Sequence, residues 1–161
     1  MVSDSHDEND ENGVTFALRR IIGEADVYAL WKELGECYDP PLWVVLPNFE
    51  DYIRKVAERA ETHALFLGDS FIGAVSLYVN DALEKRAYIT QFAIHREYRG
   101  KGYGKILLKK SCAIAHMRGM NRIALEVLKD NKPARSLYEK SGFILIGEKS
   151  PTSYLMERSL P

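Results

Sequence analysis

Residues 99–104 read Arg99-Gly100-Lys101-Gly102-Tyr103-Gly104, and what flanks them decides the architecture. Before them, Arg86 to Ile94 is an apolar run rich in β-branched and aromatic residues, which predicts a strand. After them, Gly102 to Met117 predicts a helix with Ile106, Leu107, Ala113 and Ile114 on its inward face. Three glycines in this turn let the backbone approach a ligand closely and aim its N–H groups at one point. A helix that starts there presents donors outside its own ladder at its positive end, where a pyrophosphate binds. Arg99 and Lys101 add positive charge. A plain tight turn uses the same glycines, so the loop alone leaves both readings open. A dinucleotide site requires G-x-G-x-x-G opening a βαβ unit, with an acid about 20 positions on. A P-loop requires a Ser or Thr in register after G-K. Neither fits.

The remaining elements follow on either side. Val14 to Arg20 predicts a strand, and Ala25 to Leu34 a helix with Val27, Leu30, Trp31 and Leu34 on one face. Tyr38-Asp39-Pro40-Pro41 breaks it, and Asn48 is expected to cap a second helix bearing Tyr52, Ile53, Val56 and Ala60 inward. His63–Leu67 and Phe71–Val79 predict a hairpin about Gly68-Asp69-Ser70. Beyond the glycine loop and its helix come a strand at Arg122–Leu128 and a helix at Lys132–Lys140. Strands at Phe143–Gly147 and Tyr154–Glu157 then pair about Ser150-Pro151-Thr152. The order β-α-α-β-β-β-α-β-α-β-β predicts an α/β (α+β) fold, a mixed sheet with helices on its faces.

Composition narrows the function class. The 161 residues suit one domain, and 46% hydrophobic with 28% charged residues is ordinary globular composition. No apolar run reaches the ~20 residues of a spanning helix and no leader is evident, so a cytoplasmic protein is expected, with no membrane partner. Cys37 and Cys112 stand far apart in no metal or redox spacing, which predicts two reduced thiols and no metal site. Residues 1–12 hold five acids and no Lys or Arg, leaving the rest at +4 against a formal total of −1. The head is expected to be a mobile acidic tail, and 13–161 the single domain. The mild excess suits an anionic small ligand and is too weak for a nucleic-acid partner.

The second informative cluster is Leu125-Glu126-Val127, Asn131, Ala134, Leu137-Tyr138-Glu139-Lys140 and Gly142-Phe143. Glu126 lies within an apolar strand, as a sheet-surface charge or as a buried carboxyl with a raised pKa. Asn131 sits where a helix cap is needed, with Pro133 in the first turn. Tyr138 falls two turns later on a similar face, where a core tyrosine is also at home. Taken together, R-x-x-G-x-G and N-x-x-A-x-x-x-Y-E-K-x-G-F resemble the GNAT superfamily of acyl-CoA N-acyltransferases over about residues 63–148. Residues 122–143 are especially similar to the ribosomal-protein N-terminal alanine acetyltransferases.

The resemblance implies a mostly antiparallel twisted sheet flanked by helices, and acetyl transfer from acetyl-CoA to an amine. It implies that the backbone N–H groups of Arg99, Gly100, Gly102, Tyr103 and Gly104 cradle the coenzyme A pyrophosphate. Phe92-Ala93-Ile94 would pair with the pantetheine arm, and Asn131 would contact the pantetheine or nearby backbone. Glu126 would be the general base and Tyr138 the acid for the departing thiolate. The chemistry agrees: an ammonium must lose its proton to attack, and a phenol can protonate a thiolate. The strand before the loop has Gln91 where many members carry a carboxylate, so the base rests on Glu126 or on a held water. His95 falls past the strand end and His63 opens a hairpin, so neither is the preferred base. The acceptor side is built from the first two helices and the loop Cys37–Asn48, with Tyr38, Asp39 and Trp43. A small amine or amino sugar is the favoured acceptor; a protein N-terminus or lysine, or a non-catalytic acyl-CoA-binding module, is the alternative. A monomer or homodimer is expected.

Overall fold

The computed structural model describes residues 3–9 and 13–161, with Ser3 to Glu8 described by backbone alone. Its strands are β1 (Ser3–Asn9), β2 (Thr15–Ile21), β3 (Glu61–Leu67), β4 (Ser70–Tyr78), β5 (Arg86–Ile94), β6 (Arg122–Leu128), β7 (Ile144–Ser150) and β8 (Ser153–Ser159). Its helices are α1 (Glu24–Gly35), α2 (Leu42–Val45), α3 (Phe49–Arg59), α4 (Tyr103–Met117) and α5 (Lys132–Lys140), with a 3-10 turn at Arg96–Tyr98. This is a mixed, mostly antiparallel sheet with helices, as expected. The chain forms two compact units, Met1–Ser76 with Gln91–Lys101 and Leu77–Thr90 with Gly102–Pro161.

In the first unit, β2 runs antiparallel to β3, from Phe16 opposite Leu67 to Ile21 opposite Thr62. Valine, leucine and tryptophan at i, i+3 and i+4 give α1 one apolar stripe, and Val27, Leu30, Trp31 and Leu34 are all buried. They share a core with Phe49, Ile53 and Val56 of α3 and with Ala64 and Ala74 of the sheet. Trp31 is fully enclosed, so its indole N–H must find an acceptor inside. It donates to Ser76 Oγ at 2.8 Å, and the Ser76 and Thr62 hydroxyls lie 2.6 Å apart.

Three local expectations differ from the structure. α2 is a single turn after the prolines, too short to show a period. Asn48 stands at the start of α3, but with φ 57° and no side-chain cap. An N-cap aims its oxygen at the first turn from an extended backbone, and a left-handed residue cannot. The acidic head, expected to be mobile over 1–12, includes β1, with Glu8 opposite Phe16 and Asn9 opposite Thr15 of β2. Strand pairing uses backbone N–H and C=O groups, so an acidic run does not forbid it. Residues 1, 2 and 10–12 lie outside the described residues.

In the second unit, β5 pairs in parallel with β6, Arg86 opposite Arg122 through Ile89 opposite Leu125. A parallel pair needs a crossover, and α4 supplies it. α4 buries Leu107, Leu108, Ser111, Cys112, Ile114 and Ala115. The expected inward Ala113 is exposed, because the buried stripe takes the pairs 107–108, 111–112 and 114–115. β8 lies antiparallel to β6 and to β7, through the turn at Ser150-Pro151-Thr152 that the sequence predicts. β7 ends the strand order, and Ile144, Leu145 and Ile146 on it are exposed, with register shifts at Leu145/Gly147 and Glu148/Ser150. Among the described residues no helix is long and apolar enough to cross a membrane.

Ser76→Ala removes the acceptor of the buried Trp31 N–H and the partner of the Thr62 hydroxyl together. Stability measured by urea unfolding should fall by about 1–3 kcal/mol, the cost of an unsatisfied buried donor. An unchanged unfolding midpoint would show that the indole finds another acceptor.

Candidate functional site

β5 ends at Ile94, a 3-10 turn follows, and the glycine loop leads into α4. Gly100 has φ 73° and Gly102 φ 88°, and Gly102 is the residue that starts α4 with no side-chain cap. A Cβ at either glycine would meet nothing within 4 Å, so it is conformation rather than space that requires glycine. The first helical bond runs from Ile106 N–H to Gly102 C=O at 3.3 Å. The N–H groups of Tyr103, Gly104 and Lys105 therefore stand outside the helical ladder, at the positive end of a fifteen-residue helix. These residues fit a pyrophosphate. The Arg99 side chain, expected to add charge, also has a structural task. Its Nε donates to Ile94 O at 3.0 Å and an Nη to Cys37 O at 3.2 Å, which ties the end of β5 to the turn after α1.

The end of β5 is fastened on its other side too. Tyr38 Oη donates to Gln91 Oε1 at 2.9 Å and lies 3.3 Å from Phe92 O. Phe92 is half-buried, and Ala93 and Ile94 are buried. Gly73 of β4 allows this packing, since a Cβ there would come within 2.6 Å of Ala93 O.

Glu126 and Tyr138, both of the second unit, occupy opposite environments. Glu126 is exposed on β6, so of its two readings the sheet-surface one holds. Ser153 Oγ donates to Glu126 Oε1 at 2.6 Å, and Ser150 Oγ lies 2.7 Å from Ser153 Oγ. These two serines escaped the sequence reading; the only signal was a hydroxyl-rich turn, Ser150-Pro151-Thr152-Ser153. Tyr138 is buried on α5, its ring 6.0 Å from that of Phe143, and desolvation pushes its phenol up to about 12. It thus holds its proton more firmly than a phenol in water. Asn131 begins α5 as its cap, Oδ1 accepting the Ala134 N–H at 3.3 Å.

The first unit also holds a cleft of about 390 Å³ lined by Tyr28, Lys32, Trp43, Asn48, Phe49, Glu50 and Asp51. The Phe49 ring stands 5.6 Å from Tyr28 and 6.3 Å from Trp43, and Lys32 Nζ sits 3.7 Å above the Trp43 ring. The aromatic faces already accept an ammonium there. Trp43 belongs to the acceptor loop named by the sequence. Among the described residues no group of three His, Cys, Asp or Glu is placed to hold a metal.

The model of the acetyltransferase (GNAT) family matches residues 25–143, from α1 to the end of the α5 turn. The chain belongs to this family. Two curated relatives of this GNAT chain are N-alpha-acetyltransferase 30 of Schizosaccharomyces pombe and spermine/spermidine N(1)-acetyltransferase of Bacillus subtilis. The first is 42% identical over 77 residues, covering 47% of this chain and 51% of its own length. The second is 32% identical over 83 residues, covering 51% of this chain and 55% of its own. The chain thus spans about half the length of these relatives. The solved ribosomal-protein-S18-alanine N-acetyltransferase of Escherichia coli shares the fold: TM-score 0.68 and 18% identity over 90% of this chain and 94% of that one.

For this GNAT chain the Tyr138 shift has a measurable sign. The folded phenol at about 12 lies above the ordinary ~10, so between those values the unfolded chain has released a proton that the folded chain keeps. The stabilisation is complete below about pH 10 and is lost as pH rises toward 12, by up to about 2–3 kcal/mol. Tyr138→Phe should flatten that part of the stability curve in paired denaturant titrations. Parallel curves for the two proteins would contradict the burial effect.

Proposed function

We propose that this chain transfers acetyl from acetyl-CoA to the nitrogen of a small primary amine by direct attack, with both substrates bound together. The observation that carries it is the start of α4, where left-handed Gly102 opens a helix whose first-turn N–H groups lie outside the helical ladder, within a chain of the GNAT family. The backbone of Arg99, Gly100, Gly102, Tyr103 and Gly104 holds the pyrophosphate, with the charge of Lys101 beside it, and Phe92-Ala93-Ile94 pairs with the pantetheine arm. Acetyl-CoA, when bound, supplies the activated acyl carbon. Asn131 acts on the pantetheine side by holding the first turn of α5 in place.

Glu126 takes the proton of the acceptor ammonium, and the Ser153 hydroxyl fixes the carboxylate by its Oε1, leaving Oε2 to accept. Tyr138 faces the departing sulfur as a neutral phenol at every physiological pH. Its proton is held too tightly for early release, so the hydroxyl steadies the thiolate chiefly by hydrogen bonding. The small-amine acceptor is supported by the cleft beside Trp43, where aromatic faces and the carboxylates of Glu50 and Asp51 suit an organic cation. A protein N-terminus is the second reading, supported by the similarity to N-alpha-acetyltransferase 30.

An acceptor panel with free-thiol release as readout separates these: a polyamine, an amino sugar and N-terminal peptides, each with acetyl-CoA. Thiol release with the polyamine or amino sugar supports the first reading, release with peptides alone the second. Binding of coenzyme A with no release for any amine means a non-catalytic module. Glu126→Gln should lower kcat/KM by about 10²–10⁴ while leaving coenzyme A affinity alone. Gly102→Asp adds a strained left-handed residue and a negative charge, and should weaken coenzyme A at least about tenfold by titration calorimetry.

A further inference from the structure

The turn after α1 brings together three groups that the proposed chemistry of Glu126 and Tyr138 does not use. Cys37 Sγ lies 3.9 Å from His95 Nδ1, and His95 Nε2 lies 3.1 Å from Glu33 Oε1. All three belong to the first unit, and each is held by the fold. Cys37 N–H bonds Leu34 O at 3.0 Å, and its carbonyl receives Arg99. His95 follows β5 directly, its own N–H bonded to Ile72 O at 2.8 Å and its ring edge-on to Phe71. Glu33 sits on the last turn of α1, one turn before the cysteine. With Glu33 accepting the Nε2 proton, Nδ1 carries the lone pair that faces the thiol. Thiol, imidazole and carboxylate in this order are the arrangement that activates a cysteine.

We propose that Cys37 is a nucleophilic thiol that takes an acyl group from a thioester, with His95 as its base and Glu33 as the positioning residue for His95. Nδ1 takes the thiol proton and Sγ attacks the acyl carbon. A carbon–sulfur bond to Cys37 forms as the bond to the departing thiolate breaks. The imidazolium then returns its proton to that thiolate, leaving S-acyl-Cys37 and a free thiol with no change of oxidation state. The position of the thioester rests on the donor reading above, since Arg99 and Tyr38 fasten residues 37–38 to the β5 end assigned to the pantetheine arm. The other cysteine is an internal control: both thiols are buried, but Cys112 on α4 has Arg158 rather than a histidine beside it, and desolvation pushes its thiol up against the opposing pull of Arg158.

The probe is S-acetyl-N-acetylcysteamine, a thioester without the nucleotide, so the pyrophosphate loop is not needed for the reaction. Incubated with the full chain and followed by peptide mass spectrometry, it should place one acetyl group on Cys37 and none on Cys112. His95→Gln should slow labelling by about 10²-fold or more, and Glu33→Gln by a smaller factor, with thermal midpoints near that of the parent chain. Iodoacetamide alkylation of Cys37 should slow in the same order, which covers the case of an acyl adduct too labile to isolate. Cys37 unlabelled by both reagents, or labelled at one rate in all three proteins, overturns the proposal. Failure of the donor reading appears separately, as no thermal shift with acetyl-CoA.

Discussion

The parallel pairing of β5 with β6 is the constraint from which the functional region follows. Two parallel strands cannot be joined by a tight turn, because the second must begin where the first began. The chain has to leave the end of β5, return the length of the strand and start again, and α4 is that return. Its beginning therefore follows the end of β5 after residues 95–102, and its dipole puts its positive end at that loop. The glycines at 100 and 102 are what let the chain reverse into the helix within so few residues. The helix start proposed for the pyrophosphate and the strand end proposed for pantetheine are thus consequences of one topological necessity.

Legibility in the sequence followed the range of the forces involved. β5, β6 and α5 were readable to the residue, the strands as apolar runs and the helix from Asn131 and Gly142 near its ends. The hairpin of β3 and β4 and the pairing of β7 with β8 were readable from their turns. The inward face of α4 was misjudged at Ala113, because alanine is apolar enough to suit either side and only packing decides. Asn48 has the right type for a cap and the wrong backbone. Ser153 beneath Glu126 and His95 beside Cys37 were beyond local pattern altogether. The first joins positions 27 apart and the second 58 apart, and no period in either stretch connects them. His95 stands past a strand end, which is the place from which its ring reaches Cys37.

The second unit holds two ionisable side chains in opposite environments. The Glu126 carboxylate is exposed on a strand and restrained by a serine hydroxyl. A phenol surrounded by apolar side chains gives up its proton reluctantly. The chain places the first on β6 and the second on α5, joined by residues 129–131, whose asparagine caps the helix. Local capping by Asn131 therefore fixes where the helix that carries the phenol begins.

β7 brings a liability that the catalytic account leaves aside. It closes the strand order with three aliphatic side chains in a row turned to solvent, on a strand with one neighbour only. Such an edge is a template for any other extended chain, and in crowded solution the commonest candidate is another copy of the same protein. Two register shifts and the charged pair Glu148-Lys149 cut the adhesive stretch to about three residues, too few to propagate. Solubility in this protein is thus guarded by irregularity: straightening β7, or neutralising its charged end, turns a tolerated edge into a seed for stacking.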